Sequence, residues 1–179
     1  MERKSIQIVL PNILTISRLV VIPLLIGSFY MAKYWSMWPV AVIFVCASIT
    51  DFLDGYLARY WSTQSRFGAI MDPIADKIIV ITTIVMLINF QIIDKFTIMP
   101  ALIIICREIL ISGLREYAAK EGIVLHVTYA AKIKTAIQML ALLMLIIFSN
   151  GIFSVVFLWF AAVISTYSAL KYCRNILSS

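Results

Sequence analysis

Six apolar stretches, roughly residues 19–33, 38–58, 74–93, 97–119, 129–149 and 152–173, take up most of this 179-residue chain. Most of them reach the ~20 residues a helix needs to cross the hydrocarbon core of a bilayer. A backbone in lipid must satisfy its own hydrogen bonds, which leaves helices and closed barrels. The stretches lack the alternation of lipid-facing and lumen-facing residues that a barrel requires. The chain is therefore expected to be all-α, a polytopic membrane protein of six transmembrane helices. A mean hydropathy of +1.00 with 13% charged residues fits that class and departs from soluble domains, in which about a quarter of residues are charged.

No internal repeat, low-complexity tract or linker interrupts the pattern, so residues 1–179 read as one membrane domain. Arg3 and Lys4 precede the first apolar residues, but Arg18 breaks the run and no A-x-A-like site follows. That pattern does not fit a cleavable signal peptide. Residues 5–18 read instead as a short N-terminal helix lying along the interface.

Charge fixes the expected orientation. With an even number of spans both termini share a side. On it fall Arg3, Lys4, Arg18, Arg59, Arg66, Arg115, Lys120, Lys132, Lys134, Lys171 and Arg174, while the opposite loops hold only Lys33 and Lys95. The positive-inside rule makes that side cytoplasmic, so a multi-pass protein of the cytoplasmic membrane is expected with both termini and its working face toward the cytoplasm. The net charge of +6 is accounted for by attraction to anionic membrane lipids and calls for no nucleic acid. Cys46, Cys106 and Cys173 lie in apolar stretches without C-x-x-C spacing and read as small buried hydrophobes. His126, the only histidine, stands in the loop 120–128, where no metal role is expected.

Against this background four aspartates, Asp51, Asp54, Asp72 and Asp76, fall close together in the chain. Ionised carboxylates at membrane depth are costly and mark function. Asp51, Asp54, Gly55 and Ala58 follow the i, i+3, i+4, i+7 pattern of one helical face. Asp51 stands roughly nine residues from the cytoplasmic end of its span, or roughly 14 Å deep. Across a short loop, residues 60–68, Asp72 and Asp76 form an i, i+4 pair on the next helix. Two antiparallel helices would thus each bring two carboxylates to one cavity open to the cytoplasm. Hard oxygen ligands with room for phosphates suit a pair of Mg²⁺ or Mn²⁺ ions. Gly55 and Ala58 leave space beside the helix, Arg59 adds a guanidinium fork for a phosphate, and Gly68 opens the third span, where free N–H groups favour an anion. Pro73 fits a first helical turn or a local kink. Together these residues describe a metal-bridged pyrophosphate site. A lone aspartate in a span would read as part of a proton or cation path in a transporter. Four at this spacing, without the repeats and broken helices of transporters, weigh against that alternative.

The pattern Asp51-x-x-Asp54-Gly55-x-x-Ala58-Arg59, followed by Gly68-x-x-x-Asp72-x-x-x-Asp76, resembles the signature of the CDP-alcohol phosphotransferase family at every fixed position. The six-span layout and the chain length resemble that family throughout. The resemblance implies a donor such as CDP-diacylglycerol, whose β-phosphorus is attacked by an alcohol with loss of CMP. It implies two divalent cations held by Asp51, Asp54 and Asp72, with Asp76 as general base on the acceptor hydroxyl and a further metal contact. It implies that Asp54, Gly55, Ala58, Arg59 and Gly68 hold the cytidine and phosphates, and that the protein is a homodimer. The opening Pro11-Asn12-x-x-Thr15-x-x-Arg18 is also similar to the family, which would place Asn12, Thr15 and Arg18 along the donor's entry; a plain interfacial anchor is the alternative.

Cations elsewhere bear on the acceptor. Arg107-Glu108 lies near the middle of span four and Arg115 toward its end, with Glu108, Ser112 and Arg115 on one face, so part of this charge is expected to pair internally. Span five opens Lys132-x-Lys134-Thr135-x-x-Gln138, and its two lysines stand about 200° apart on a helix. One of them is expected to reach the headgroups instead. Such a cluster suits an acceptor that carries its own phosphate. The Arg-Glu-x₅-Leu-Arg and Lys-x-Lys-Thr-x-x-Gln stretches resemble those of the family's phosphatidylglycerophosphate synthases, which implies glycerol 3-phosphate as acceptor, bound by Arg107, Arg115, Lys132 and Lys134. A sister enzyme using phosphatidylglycerol, inositol phosphate or serine would keep the aspartates and change the cations.

Overall fold

The computed structural model describes residues 20–61, 66–120, 129–149 and 151–177, with side chains for 20–50, 74–75, 77–118, 133–149 and 151–174. The expected interfacial helix at 5–18, with Asn12, Thr15 and Arg18, lies outside the described residues, as do most of the loop 60–68 and His126. Every regular element among the described residues is helical: α1 (Val20–Ala32), α2 (Trp38–Trp61), α3 (Arg66–Asn89), α4 (Ile98–Lys120), α5 (Tyr129–Phe148) and α6 (Ile152–Leu177). The all-α expectation holds, with six helices and no strand described.

Among the described residues α6 is long and apolar enough to cross a membrane on its own, over Ile152–Arg174 at a mean hydropathy of 1.9. The helices α2, α3, α4 and α5 are of comparable length, at 24, 24, 23 and 20 residues.

Helix ends differ from the expectation in one informative place. The third helix begins at Arg66, eight residues before the apolar stretch does, so Gly68 is its third residue and not its first. Pro73 therefore stands in the helix interior and not in the first turn. Without an N–H it leaves the Ala69 carbonyl without the usual helical donor, which favours a local kink.

The turns are built by local polar chemistry. At the end of α3, the Gln91 N–H donates to the Ile88 carbonyl and the Ile92 N–H to the Leu87 carbonyl, both at 2.9 Å, with Gln91 at φ 57°. This is a Schellman cap with a non-glycine residue in the left-handed position, sealed by buried Leu87 and Ile92. Asp94 then organises the start of α4: its Oδ1 accepts the Thr97 hydroxyl at 2.9 Å and the Phe96 N–H at 3.0 Å. The start of α2 is capped by Ser36, whose Oγ accepts the Trp38 N–H at 3.2 Å.

The chain divides into two compact units, Met1–Met86 and Leu87–Ser179. In the first, Leu25 and Phe29 of α1, Val40, Phe44 and Ala47 of α2, and Ala75, Ile79, Val80 and Ile84 of α3 are buried. In the second, α6 packs against both α4 and α5. Buried in this unit are Ser154, Leu158, Ala161, Ala162 and Ser165 of α6, Ala101, Ile104 and Ile111 of α4, and Ala141, Leu142 and Leu145 of α5. Alanines on all three helices permit close approach. The Ser154 hydroxyl donates to the Met144 carbonyl at 3.1 Å, tying α6 to α5 next to their turn.

The outer face of α6 is apolar, with Val156, Phe160, Val163, Tyr167 and Leu170 exposed at helical spacing. The cysteines were expected to be buried, and this is corrected: Cys46 and Cys106 are exposed and Cys173 is half-buried. Apolarity in the sequence marks contact with lipid as readily as contact with a core, so it does not distinguish an outward face from an inward one.

Candidate active site

Register within the first unit places the aspartates. On α2 the buried positions 40, 44 and 47 form a stripe that helical spacing carries on through 51, 54 and 58. On α3 the buried positions 79, 80 and 83 lie on a stripe that runs back through 76 and 72. Both aspartate pairs thus stand at positions continuing the packed faces of their helices. Only residues 62–65 separate Trp61 from Arg66, so the facing ends of α2 and α3 are within about 18 Å. The side chains of Asp51, Asp54, Gly55, Ala58, Arg59, Gly68, Asp72 and Asp76 lie outside the described residues. Among the described residues no group of three or more His, Cys, Asp or Glu is assembled.

The second unit carries a described polar cluster. On α4, spacing puts Ala101, Ile104, Glu108, Ile111, Arg115 and Ala118 on one stripe, apolar at its start and charged further along. Glu108 is the centre. Its Oε1 accepts the Arg107 Nη1 at 3.2 Å and also accepts Lys134 Nζ from α5, and both ion pairs are nearly shut off from solvent. Arg107 is held from the other side by α6: its Nε donates to the Ser165 carbonyl at 3.3 Å and its Nη2 to the Ser168 hydroxyl at 3.2 Å. Three helices are therefore joined through one carboxylate and one guanidinium.

Three of the four cations expected at the acceptor site are described, and they are not equivalent. Lys134 is only 4% exposed and points inward; the Lys132 side chain lies outside the described residues. Arg107 faces the same cluster. Arg115 is exposed and lies over the Tyr172 ring, 5.7 Å from its centroid, while the internal pairing expected of this charge is made by Arg107 and Glu108. The formal charge of Arg107, Arg115, Lys134 and Glu108 together is +2, enough to match a phosphate monoester dianion. Three neutral atoms in this unit also stand out. Gln138 Oε1, Ser165 Oγ and Tyr172 OH are buried without a hydrogen-bond partner among the described residues. Sequence reading passed over them as carriers of function because a neutral polar residue in an apolar run gives no charge signal, although Gln138 closes the Lys-x-Lys-Thr-x-x-Gln stretch.

Residues 8–167 match the family model of the CDP-alcohol phosphatidyltransferases. The chain belongs to that family. It is similar over nearly its whole length to bacterial proteins named CDP-diacylglycerol--glycerol-3-phosphate 3-phosphatidyltransferase. The Rickettsia felis protein is 42% identical, the match covering 93% of this chain and 96% of the relative. For the Haemophilus influenzae protein the identity is 40%, covering 92% and 91%. The Shigella flexneri protein is 37% identical, with 93% of each chain covered. The match includes the residues of both the aspartate stripes and the basic cluster.

Proposed function

We propose that this chain transfers the phosphatidyl group of CDP-diacylglycerol to sn-glycerol 3-phosphate, forming phosphatidylglycerophosphate and CMP in phospholipid biosynthesis. The observation that carries the acceptor half is the buried Arg107–Glu108–Lys134 cluster, whose cations have no apolar reason to be there. It coincides with near-full-length similarity to enzymes named for that acceptor.

In this reading residues 1–179 form a single membrane domain of six spans with an interfacial N-terminal helix. It lies in the cytoplasmic membrane with both termini and the site toward the cytoplasm. The apolar outer face of α6 and the Lys/Arg asymmetry support that placement. Assembly as a homodimer rests on the family resemblance.

The donor set fits divalent cations. Four carboxylates on two sequential helices, at i, i+3 and i, i+4 spacing, supply the hard oxygens Mg²⁺ or Mn²⁺ prefers, and no softer ligand competes. Asp51, Asp54, Asp72 and Asp76 are the residues assigned to hold two such ions. When bound, these offset the charge of the pyrophosphate and ease departure of CMP. The rest of the chemistry falls to side chains. Asp54, Gly55, Ala58, Arg59 and Gly68 bind the CDP group, with Asn12, Thr15 and Arg18 along the lipid's entry. Arg107, Lys134, Arg115 and Lys132 bind the acceptor's phosphate and so direct its free hydroxyl to the donor. Asp76 takes the proton from that hydroxyl as its oxygen bonds to the β-phosphorus. The bond from that phosphorus to the bridging oxygen breaks, and the electron pair leaves on CMP.

The test is CMP release by purified protein from CDP-diacylglycerol with Mg²⁺ or Mn²⁺, offering glycerol 3-phosphate, phosphatidylglycerol, inositol phosphate and serine separately. Glycerol 3-phosphate should be the acceptor that supports turnover. Release with only one of the others overturns the acceptor assignment and leaves the donor chemistry standing.

A further inference from the structure

A buried amide or hydroxyl without a partner is unfavourable, and folded chains rarely keep one without a use for it. Gln138 is 2% exposed and Ser165 fully buried, yet Gln138 Oε1 and Ser165 Oγ have no hydrogen-bond partner among the described residues. A leucine and an alanine would pack at these positions without that penalty. Both residues adjoin the basic cluster. The Ser165 carbonyl already accepts the Arg107 Nε, and Gln138 is one helical turn beyond Lys134 on the same face of α5.

The Ser154–Met144 bond sets how α5 and α6 lie alongside each other. Counting eleven residues along each helix from that bond brings Ser165 opposite position 133, beside Lys134. Gln138 then lies about 6 Å further along α5. Neutral hydrogen-bonding groups thus stand one short step from the cations, in the arrangement a small phosphorylated polyol presents: charge at one end, hydroxyls a few bonds away.

We infer that Gln138 and Ser165 recognise the secondary hydroxyl of the acceptor, and that they set its selectivity. This rests on the reading of the basic cluster as the acceptor-phosphate site. The hydroxyl donates to Gln138 Oε1 and accepts from Ser165 Oγ, so each orphaned group gains a partner only when substrate is bound. A site built in this way rejects an analogue lacking the hydroxyl, because the buried groups are again left unpaired.

The experiment compares glycerol 3-phosphate with 3-hydroxypropyl phosphate, which keeps the phosphate and the attacking primary hydroxyl and lacks the secondary one. Purified wild-type protein in detergent, with CDP-diacylglycerol and Mn²⁺, should show a kcat/KM at least about a hundred-fold higher for glycerol 3-phosphate. In Gln138→Leu that preference should fall below about tenfold through loss with glycerol 3-phosphate, while kcat/KM for the analogue stays within about threefold of wild type. The same variant, free of the orphaned amide, should melt no lower than wild type when no acceptor is present. Ser165→Ala, which removes only Oγ, should also narrow the preference, and it reads the same ratio if the leucine variant does not fold. Equal use of both phosphates by wild type overturns the inference, as does an unchanged ratio in both variants. If wild type releases CMP with a neutral alcohol and with neither phosphate, the acceptor assignment itself falls and takes this inference with it.

Discussion

Lys134 and Glu108 allow folding and acceptor binding to be separated in one set of variants. Lys134→Met removes one of the two cations on the Glu108 carboxylate and leaves it paired with Arg107. The remaining pair is balanced, so Tm should stay near that of wild type. Glu108→Gln instead leaves Arg107 and Lys134 side by side without their carboxylate. An uncompensated buried charge costs about 3–5 kcal/mol. For a chain of this size 3 kcal/mol corresponds to a fall in Tm of roughly 6–12 °C. Adding Lys134→Met to Glu108→Gln removes one of the two stranded cations and leaves the Ser165 and Ser168 contacts of Arg107 in place, so the double variant should recover part of that loss.

Acceptor binding should not recover with it. Losing one charge-assisted phosphate contact costs about 2–5 kcal/mol, which is a rise in KM of about thirty-fold or more. That rise should persist in the double variant, while the KM for CDP-diacylglycerol stays within about twofold throughout, because independent sites do not couple. The assays are thermal melts in one detergent and KM for each substrate with the other saturating. A double variant as unstable as Glu108→Gln alone would refute the role of Glu108 as counter-ion to both cations. One with wild-type KM for glycerol 3-phosphate would show that Lys134 serves only as the counter-ion of Glu108.

Arg115 is exposed and rests on Tyr172, where such a contact contributes about 0.5–1 kcal/mol, so Arg115→Ala should raise the acceptor KM less than about tenfold and less than Lys134→Met does. Among the carboxylates, Asp51→Asn, Asp54→Asn and Asp72→Asn should lose activity that partly returns at high Mn²⁺. Asp76→Asn should lose turnover at every metal concentration yet still bind CDP-diacylglycerol in a filter or calorimetric assay; normal turnover by it would remove the base assignment. Single cysteines at Gln64 and Glu121, in a background without Cys46, Cys106 and Cys173, should be labelled from the cytoplasmic side only, and labelling of either from outside contradicts the six-span orientation.

How much of this was legible in the sequence depended on whether a residue's chemistry or its direction was at issue. The helical class followed from apolar length, and the placing of the four aspartates on two successive helices from their spacing. The start of α3 did not, because apolarity reports depth in a membrane and the helix continues through polar residues back to Arg66. Lys132 and Lys134, about 200° apart, are alike by residue type. The direction of Lys134 follows from its packing against Glu108. That part of the charge on α4 pairs internally was legible, and Arg107 and Glu108 make that pair. Gln138 and Ser165 were invisible as candidates, since what marks them is the absence of a partner, a property of the folded chain and not of the residue type.

The central claim is that one phosphatidyl group moves from CDP-diacylglycerol to glycerol 3-phosphate for each CMP released. Purified protein given CDP-diacylglycerol, Mn²⁺ and glycerol 3-phosphate labelled in its carbon skeleton tests it in a single extraction. The account predicts label appearing in the lipid phase in equal molar amount to CMP in the aqueous phase, with both abolished by EDTA and by Asp76→Asn. CMP release without label in lipid, or labelled lipid formed at the same rate in the presence of EDTA, would contradict it.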